Sequence, residues 1–276
     1  MDPFLSISIG LAAGLIGGLL GIGGSTLIIP ALVIALSHTD AGYQGHQQHL
    51  LQAAAMICNF FVAAPSVITH HRAGAIDRRI VTWLVGPALI GILAGVALSN
   101  TPLFAKANGR FLAMGLALFM LYVAAYNLKR LLKPTQAKKS SDPPEQHAIA
   151  KIVAVGLPTG LIAGLLGIGG GALCVPAQQI FLRLPLRQAI ANSAATITII
   201  ALCGATYKNA TLSHHDLSII DALHLAALLI PAAVAGSLIG SRLTHLLPRR
   251  VIRAIFCVFM TLMAARLFYD AVHATG

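Results

Sequence analysis

The chain has 276 residues, of which 57% are hydrophobic and only 10% charged, and its mean hydropathy is +0.81. A soluble surface of this size cannot be built from so little polar material, which points to an all-α polytopic membrane protein in a lipid bilayer. The net charge of +11 sits in short connections between apolar runs, an arrangement that argues against a nucleic-acid partner.

In chain order, apolar stretches able to cross or enter a hydrocarbon layer of about 30 Å run 4–36, 50–69, 80–98 and 110–128, then 152–182, 188–206, 217–241 and 251–268. The start, Met-Asp-Pro-Phe, lacks the basic region of a signal peptide, so the first segment is read as retained. That segment contains Gly14-Leu-Ile-Gly-Gly-Leu-Leu-Gly-Ile-Gly-Gly-Ser-Thr-Leu-Ile-Ile-Pro30. It returns as Gly160-Leu-Ile-Ala-Gly-Leu-Leu-Gly-Ile-Gly-Gly-Gly-Ala-Leu-Cys-Val-Pro176, and 15 of the 23 positions from 14 to 36 are identical in 160 to 182. A glycine-rich break inside two corresponding apolar segments is the layout of a transporter built from internal repeats. Residues 1–130 form the first transmembrane repeat, 131–150 a linker and 151–276 the second repeat.

The linker gathers prolines, serines and the basic residues Lys133, Lys138 and Lys139, next to Lys129 and Arg130, so the positive-inside tendency places it in the cytoplasm. Counting outward from it, the connection holding Arg242, Arg249, Arg250 and Arg253 faces the cytoplasm only if 152–182 enters and returns without crossing; Lys208 is then left outside. An unbroken helix over such a segment would reach about 50 Å, while each part beside the glycines reaches about 20 Å. Each repeat is therefore expected to hold a glycine-broken re-entrant hairpin and three transmembrane helices, and the odd number of crossings inverts one repeat relative to the other. The series Gly91/Gly95 and Gly236/Gly240 suit close helix contact, either within the chain or in a homodimer.

The breaks are also the candidate binding site. Neither Gly21-Ile-Gly-Gly24 nor Gly167-Ile-Gly-Gly-Gly171 follows a strand or precedes Gly-Lys-Ser/Thr, so a nucleotide loop is excluded. A broken helix at membrane depth frees backbone N–H groups and aims the positive end of a half-helix into a cavity. Gly23, Gly24, Ser25 and Thr26 at the first break and Gly169, Gly170 and Gly171 at the second are expected to line it. Polar residues inside other apolar segments, Asn59, Gln178, Asn192 and Ser193, are candidate donors. The acidic residues lie at loops, termini or, for Asp221, the first turns of a helix, so no carboxylate awaits a cation at mid-membrane depth and the ligand reads as an anion or as something neutral.

Cys58, Cys174, Cys203 and Cys257 lie in apolar segments without a Cys-x-x-Cys pair and read as small buried hydrophobes. The histidines, including His46 and His49 and the doublets His70-His71 and His214-His215, lack cysteine or carboxylate partners at ligand spacing and read as interfacial loop residues. No metal, no cofactor and no catalytic residue are expected.

The doubled glycine motif, His70-x-x-x-Gly74-x-x-Asp77, and Leu186-Arg-Gln-Ala-Ile-Ala-Asn-Ser-Ala194 resemble the TauE/SafE (TSUP) family of sulfite, thiosulfate and organosulfonate transporters. The resemblance implies a sulfite exporter of the bacterial inner membrane, moving a small sulfur-containing anion by alternating access between the repeats. It also implies that Cys58 and Cys174 sit near the centre for contact with sulfur. Ala53-Ala54-Ala55 departs from the family's Ala-Thr-Ser, and Lys208 stands where the first repeat has His70, so an asymmetric site richer in polar contacts from the second half is expected. Two other readings compete: a cation or metal permease using the loop histidines, and a membrane-embedded sulfur-handling enzyme or assembly factor.

Overall fold

The computed structural model describes residues 3–37, 48–101, 108–132 and 149–273, and their regular structure is entirely helical. The helices are α1 Pro3–Leu20, α2 Ser25–Ser37, α3 Gln48–Arg72, α4 Arg78–Ser99, α5 Asn108–Leu132, α6 Ile149–Leu166, α7 Gly171–Phe181, α8 Leu186–Ala210, α9 Ile219–Leu246 and α10 Arg249–His273, with a 3-10 turn at Leu212–His215. The expected linker at 131–150 falls almost wholly outside the described residues. Each glycine-bearing segment is two helices, and every other apolar segment is one.

Among the described residues, five helical runs are long and apolar enough to cross a membrane: α3, α4, α6, α8 with the turn that follows it, and α9. The chain is an all-α, multi-pass membrane protein. Its outer surface agrees: Ile90, Leu118, Val258 and Leu262 are 59–66% exposed, a face that lipid accommodates and water does not. With α6 among the five, the first part of the second broken segment is longer than its glycine position suggests, because the helix begins at Ile149. The second part, α7, has 11 residues and reaches about 16 Å, too short to span.

Packing repeats with the two halves exchanged. Gly10, Gly14 and Gly18 of α1 lie against the backbone of Leu229, Ala233 and Ser237 of α9, and Gly156, Gly160 and Gly164 of α6 lie in the same way against Leu84, Ala88 and Ile92 of α4. In both pairs the helices run parallel, and a methyl group at Gly14 or Gly160 would meet backbone of the facing helix. The facing glycines Gly236 and Gly240 close on Leu11 and Leu15 of α1, while Gly91 and Gly95 close on Leu157 and Leu161 of α6. Both small-residue series are thus used inside the chain, where close backbone approach supplies the dispersion contact that apolar burial cannot supply in lipid.

Helices that correspond between the halves pair antiparallel. Lys208 near the end of α8 meets His49 at the start of α3, while Ala63 farther along α3 clusters with Ile197 and Ala201. Cys257 and Arg253 of α10 bond the carbonyls of Ala124 and Arg130 of α5. α3 and α8 form the centre: 61% and 72% of their apolar stretches are buried, against 39% and 33% for α4 and α9. Polar caps finish the helices outside this centre, as where Asp77 accepts from the N–H groups of Arg79 and Ile80 at 3.0 and 3.2 Å to start α4.

Two expectations change. His70 is fully buried in the last turn of α3, and Lys208 is 1% exposed within α8, where the sequence suggested a loop edge and an outer connection. The cause is lateral: α9 covers the end of α3 through His245, and the end of α4 covers that of α8 through Ser99 and Asn100.

Candidate functional site

The breaks turn on left-handed glycines, with φ of 63° at Gly21 and 77° at Gly23, then 70°, 72° and 73° at Gly167, Gly169 and Gly170. A side chain strains this region, so the glycines are required by backbone conformation as well as by space. The two turns lie against each other. A Cβ on Gly171 would collide with the Ile22 backbone, and the Thr26 hydroxyl donates to the Ile168 carbonyl at 3.3 Å. Hence α2 starts beside the second break and α7 beside the first, and both positive helix ends meet at the middle of the bundle.

Asn59 of α3 stands between them. Its Oδ1 accepts from the Ser25 N–H at 3.0 Å, satisfying one of the orphan donors at the start of α2. That bond fixes the amide, because Nδ2 in the same place would set donor against donor. A Cβ on Gly23 would overlap Asn59 Oδ1; one on Gly169 would overlap Nδ2 and lie 3.0 Å from Ser25 Oγ. Asn59 Nδ2 and Ser25 Oγ are both buried without a hydrogen-bond partner, a condition that native interiors rarely keep at one point. No side chain in this group carries a formal charge, so the positive ends of α2 and α7 are not opposed by a carboxylate.

The second half contributes through α8, where Ser193 Oγ donates to the Gly21 carbonyl at 2.7 Å and the Ile190 carbonyl closes on Gly21. Gly24 packs on Val62, and Gly170 on Ala163 and Thr159. Gly23, Gly24, Ser25, Thr26, Asn59, Gly169, Gly170, Gly171 and Ser193 are therefore gathered at the breaks. Cys174 and Gln178 lie on the neighbouring seam between α7 and α8, where Gln178 Nε2 donates to Cys174 Sγ at 3.2 Å and to the Ala189 carbonyl at 3.4 Å. Two candidates turn away: Cys58 Sγ faces the Ala226 carbonyl of α9 at 3.8 Å, and Asn192 Oδ1 accepts from the Asp77 N–H at 2.8 Å. All four cysteines are free.

One residue at the site is absent from the sequence reading. Gln52 Nε2 donates to the Leu166 carbonyl at 3.3 Å, and its stem underlies Gly167. The signal available was an amide within two residues of the start of an apolar run, which looks the same as a residue capping that run at the water boundary.

The sequence profile described as "Sulfite exporter TauE/SafE" matches residues 6–267. The chain is 24% identical over 300 residues to the "Probable membrane transporter protein MamO" of Paramagnetospirillum magneticum, covering 95% of this chain and 44% of that protein; it thus spans less than half of that relative's length. It is 24% identical over 280 residues to the "Probable membrane transporter protein YunE" of Bacillus subtilis, covering 99% of both. With a "Probable membrane transporter protein" of Xylella fastidiosa it shares 30% identity over 201 residues, 68% of each chain. No solved structure matches the chain. A match over nearly the whole length places the chain in the Sulfite exporter TauE/SafE family.

Proposed function

We propose that the protein is a secondary transporter of the bacterial inner membrane that exports a small sulfur-containing anion such as sulfite, thiosulfate or an organosulfonate. The observation that carries this reading is the meeting of two half-helix starts on Asn59 and Ser25, whose Nδ2 and Oγ are buried without partners, with no carboxylate beside them among the described residues. An oxyanion presents several acceptor oxygens at once and matches a ring of backbone and side-chain donors better than a cation or a neutral solute does. The family description supports the sulfur chemistry.

Transport proceeds by exposing the break site alternately to the two sides. Each hairpin is re-entrant, the two repeats are inverted in the membrane, and the 131–150 linker lies in the cytoplasm. The antiparallel pairing of α3 with α8 and of α5 with α10 supports inversion, since helices related by an axis in the membrane plane must run in opposite directions. In this scheme Asn59 holds the start of α2 with Oδ1 and offers Nδ2 to the guest, while Ser25 offers its hydroxyl. Gly23 and Gly169 keep the space clear.

Reconstitution into sealed liposomes tests the reading. Movement of sulfite or thiosulfate, with taurine and sulfoacetate competing, is the expected outcome; a correctly inserted protein that moves none of the four overturns it.

A further inference from the structure

Lys208 lies two residues before the end of α8 and is 1% exposed. Its ammonium is 2.7 Å from His49 Nδ1, 3.0 Å from Ser99 Oγ and 3.3 Å from Asn100 Oδ1. Three donors thus meet three acceptors, each of them neutral while it accepts, and among the described residues no carboxylate accepts from Lys208. Hydrogen bonds replace the water of a buried ammonium but not its counter-charge, and an anion is the group that lowers its energy.

The opposite end of the helix pair has a counterpart made of different residues. His70 lies two residues before the end of α3, as Lys208 does in α8. Its Nδ1 is 2.8 Å from Nε2 of His245, near the end of α9, as Ser99 ends α4. Arg187, the second residue of α8 as His49 is of α3, donates from its guanidinium to the Leu247 carbonyl at 2.5 Å, two residues beyond His245. Both basic sets join the two halves, and each includes a residue about one helical turn from one that touches a break. His49 precedes by three residues Gln52, which underlies Gly167, and Arg187 precedes by three Ile190, whose carbonyl closes on Gly21.

We propose that Lys208, His49, Ser99 and Asn100 form a second anion site, an access site at one mouth of the route to the breaks, with His70, His245 and Arg187 as its counterpart at the other. This rests on the anion-carrier reading above. A charged solute entering a low-dielectric path needs a positive station before the central site, one that binds it and still lets go. The neutral acceptors around Lys208 serve that exchange: an oxyanion takes the place of one of them at the ammonium and returns it on leaving.

The full-length protein in liposomes and in detergent, with sulfite and thiosulfate as probes, provides the test. Lys208→Gln keeps a hydrogen-bonding side chain without the charge and is expected to raise KM for both anions about ten-fold or more, with the maximal rate little changed; Lys208→Arg stays near wild type. Wild-type KM in Lys208→Gln, or an equal loss in the two variants, overturns the access site. Should Lys208→Gln fail to fold, equilibrium binding of labelled thiosulfate decides the matter: more than one anion per wild-type chain, with binding retained in Gly169→Val, is expected. A single anion per chain that Gly169→Val abolishes overturns the access site. Wild-type protein that neither binds nor moves either anion overturns the carrier reading itself, and the access site with it.

Discussion

At the first break the glycines are followed by Ser25 and Thr26, and Asn59 takes the Ser25 N–H; at the second they are followed by Gly171 and Ala172, and α7 begins on Gly170 with no side-chain cap. The backbone bends are alike, with left-handed glycines in both, yet the side chains at the meeting point come mostly from the first half. The two breaks share the feature that one residue type alone can supply, the turn, and differ in their donors. In the proposed site the first break grips through hydroxyl and amide groups, and the second through bare backbone N–H groups.

The largest effects should come from filling the shared space. Gly169→Val and Gly23→Val both drive a side chain into Asn59 and strain a left-handed backbone, so sulfite uptake should fall to background while membrane insertion persists. Uptake at the wild-type rate in either would return that break to a packing role. Asn59→Asp is the sharper variant. It keeps the acceptor for Ser25 N–H and replaces the Nδ2 donor by negative charge, so the fold should survive and apparent anion affinity should drop about ten-fold or more, read from the concentration dependence of uptake.

Smaller changes separate the two breaks. Ser25→Ala removes one hydroxyl donor and should cost about 1 kcal/mol of binding, roughly five-fold in affinity; the second break has no such hydroxyl to lose. Among the cysteines, Cys58→Ala should leave transport at the wild-type rate because the thiol faces Ala226. Cys174→Ala should slow transport modestly, because it removes the acceptor of Gln178 Nε2. The reverse order would place the sulfur contact of the first half at the centre after all.

The broken helices and their glycine turns were legible because each is local: a run of apolar residues, a glycine cluster and a proline state their structure within one or two turns. Asn59 was legible as a polar residue at membrane depth, though not as the amide that both breaks share. That position depends on the rotation of α3, which turns Asn59 inward and Cys58 toward α9 although the two are adjacent. His70 and Lys208 were misplaced for a related reason. Their burial comes from partners 175 and 159 residues away, and hydropathy carries no record of which helix end will cover which. The small-residue series announced a close contact, and only the paired registers of α1 with α9 and α6 with α4 show with whom it is made.

The central claim is that the two breaks hold one anion between Asn59 and the starts of α2 and α7. Thermal unfolding of the purified protein with added sulfite or thiosulfate, in wild type and in Asn59→Asp, tests it most directly. The account predicts a concentration-dependent rise in Tm for wild type and a clearly smaller one for Asn59→Asp at the same anion concentrations. An equal rise in both would contradict it.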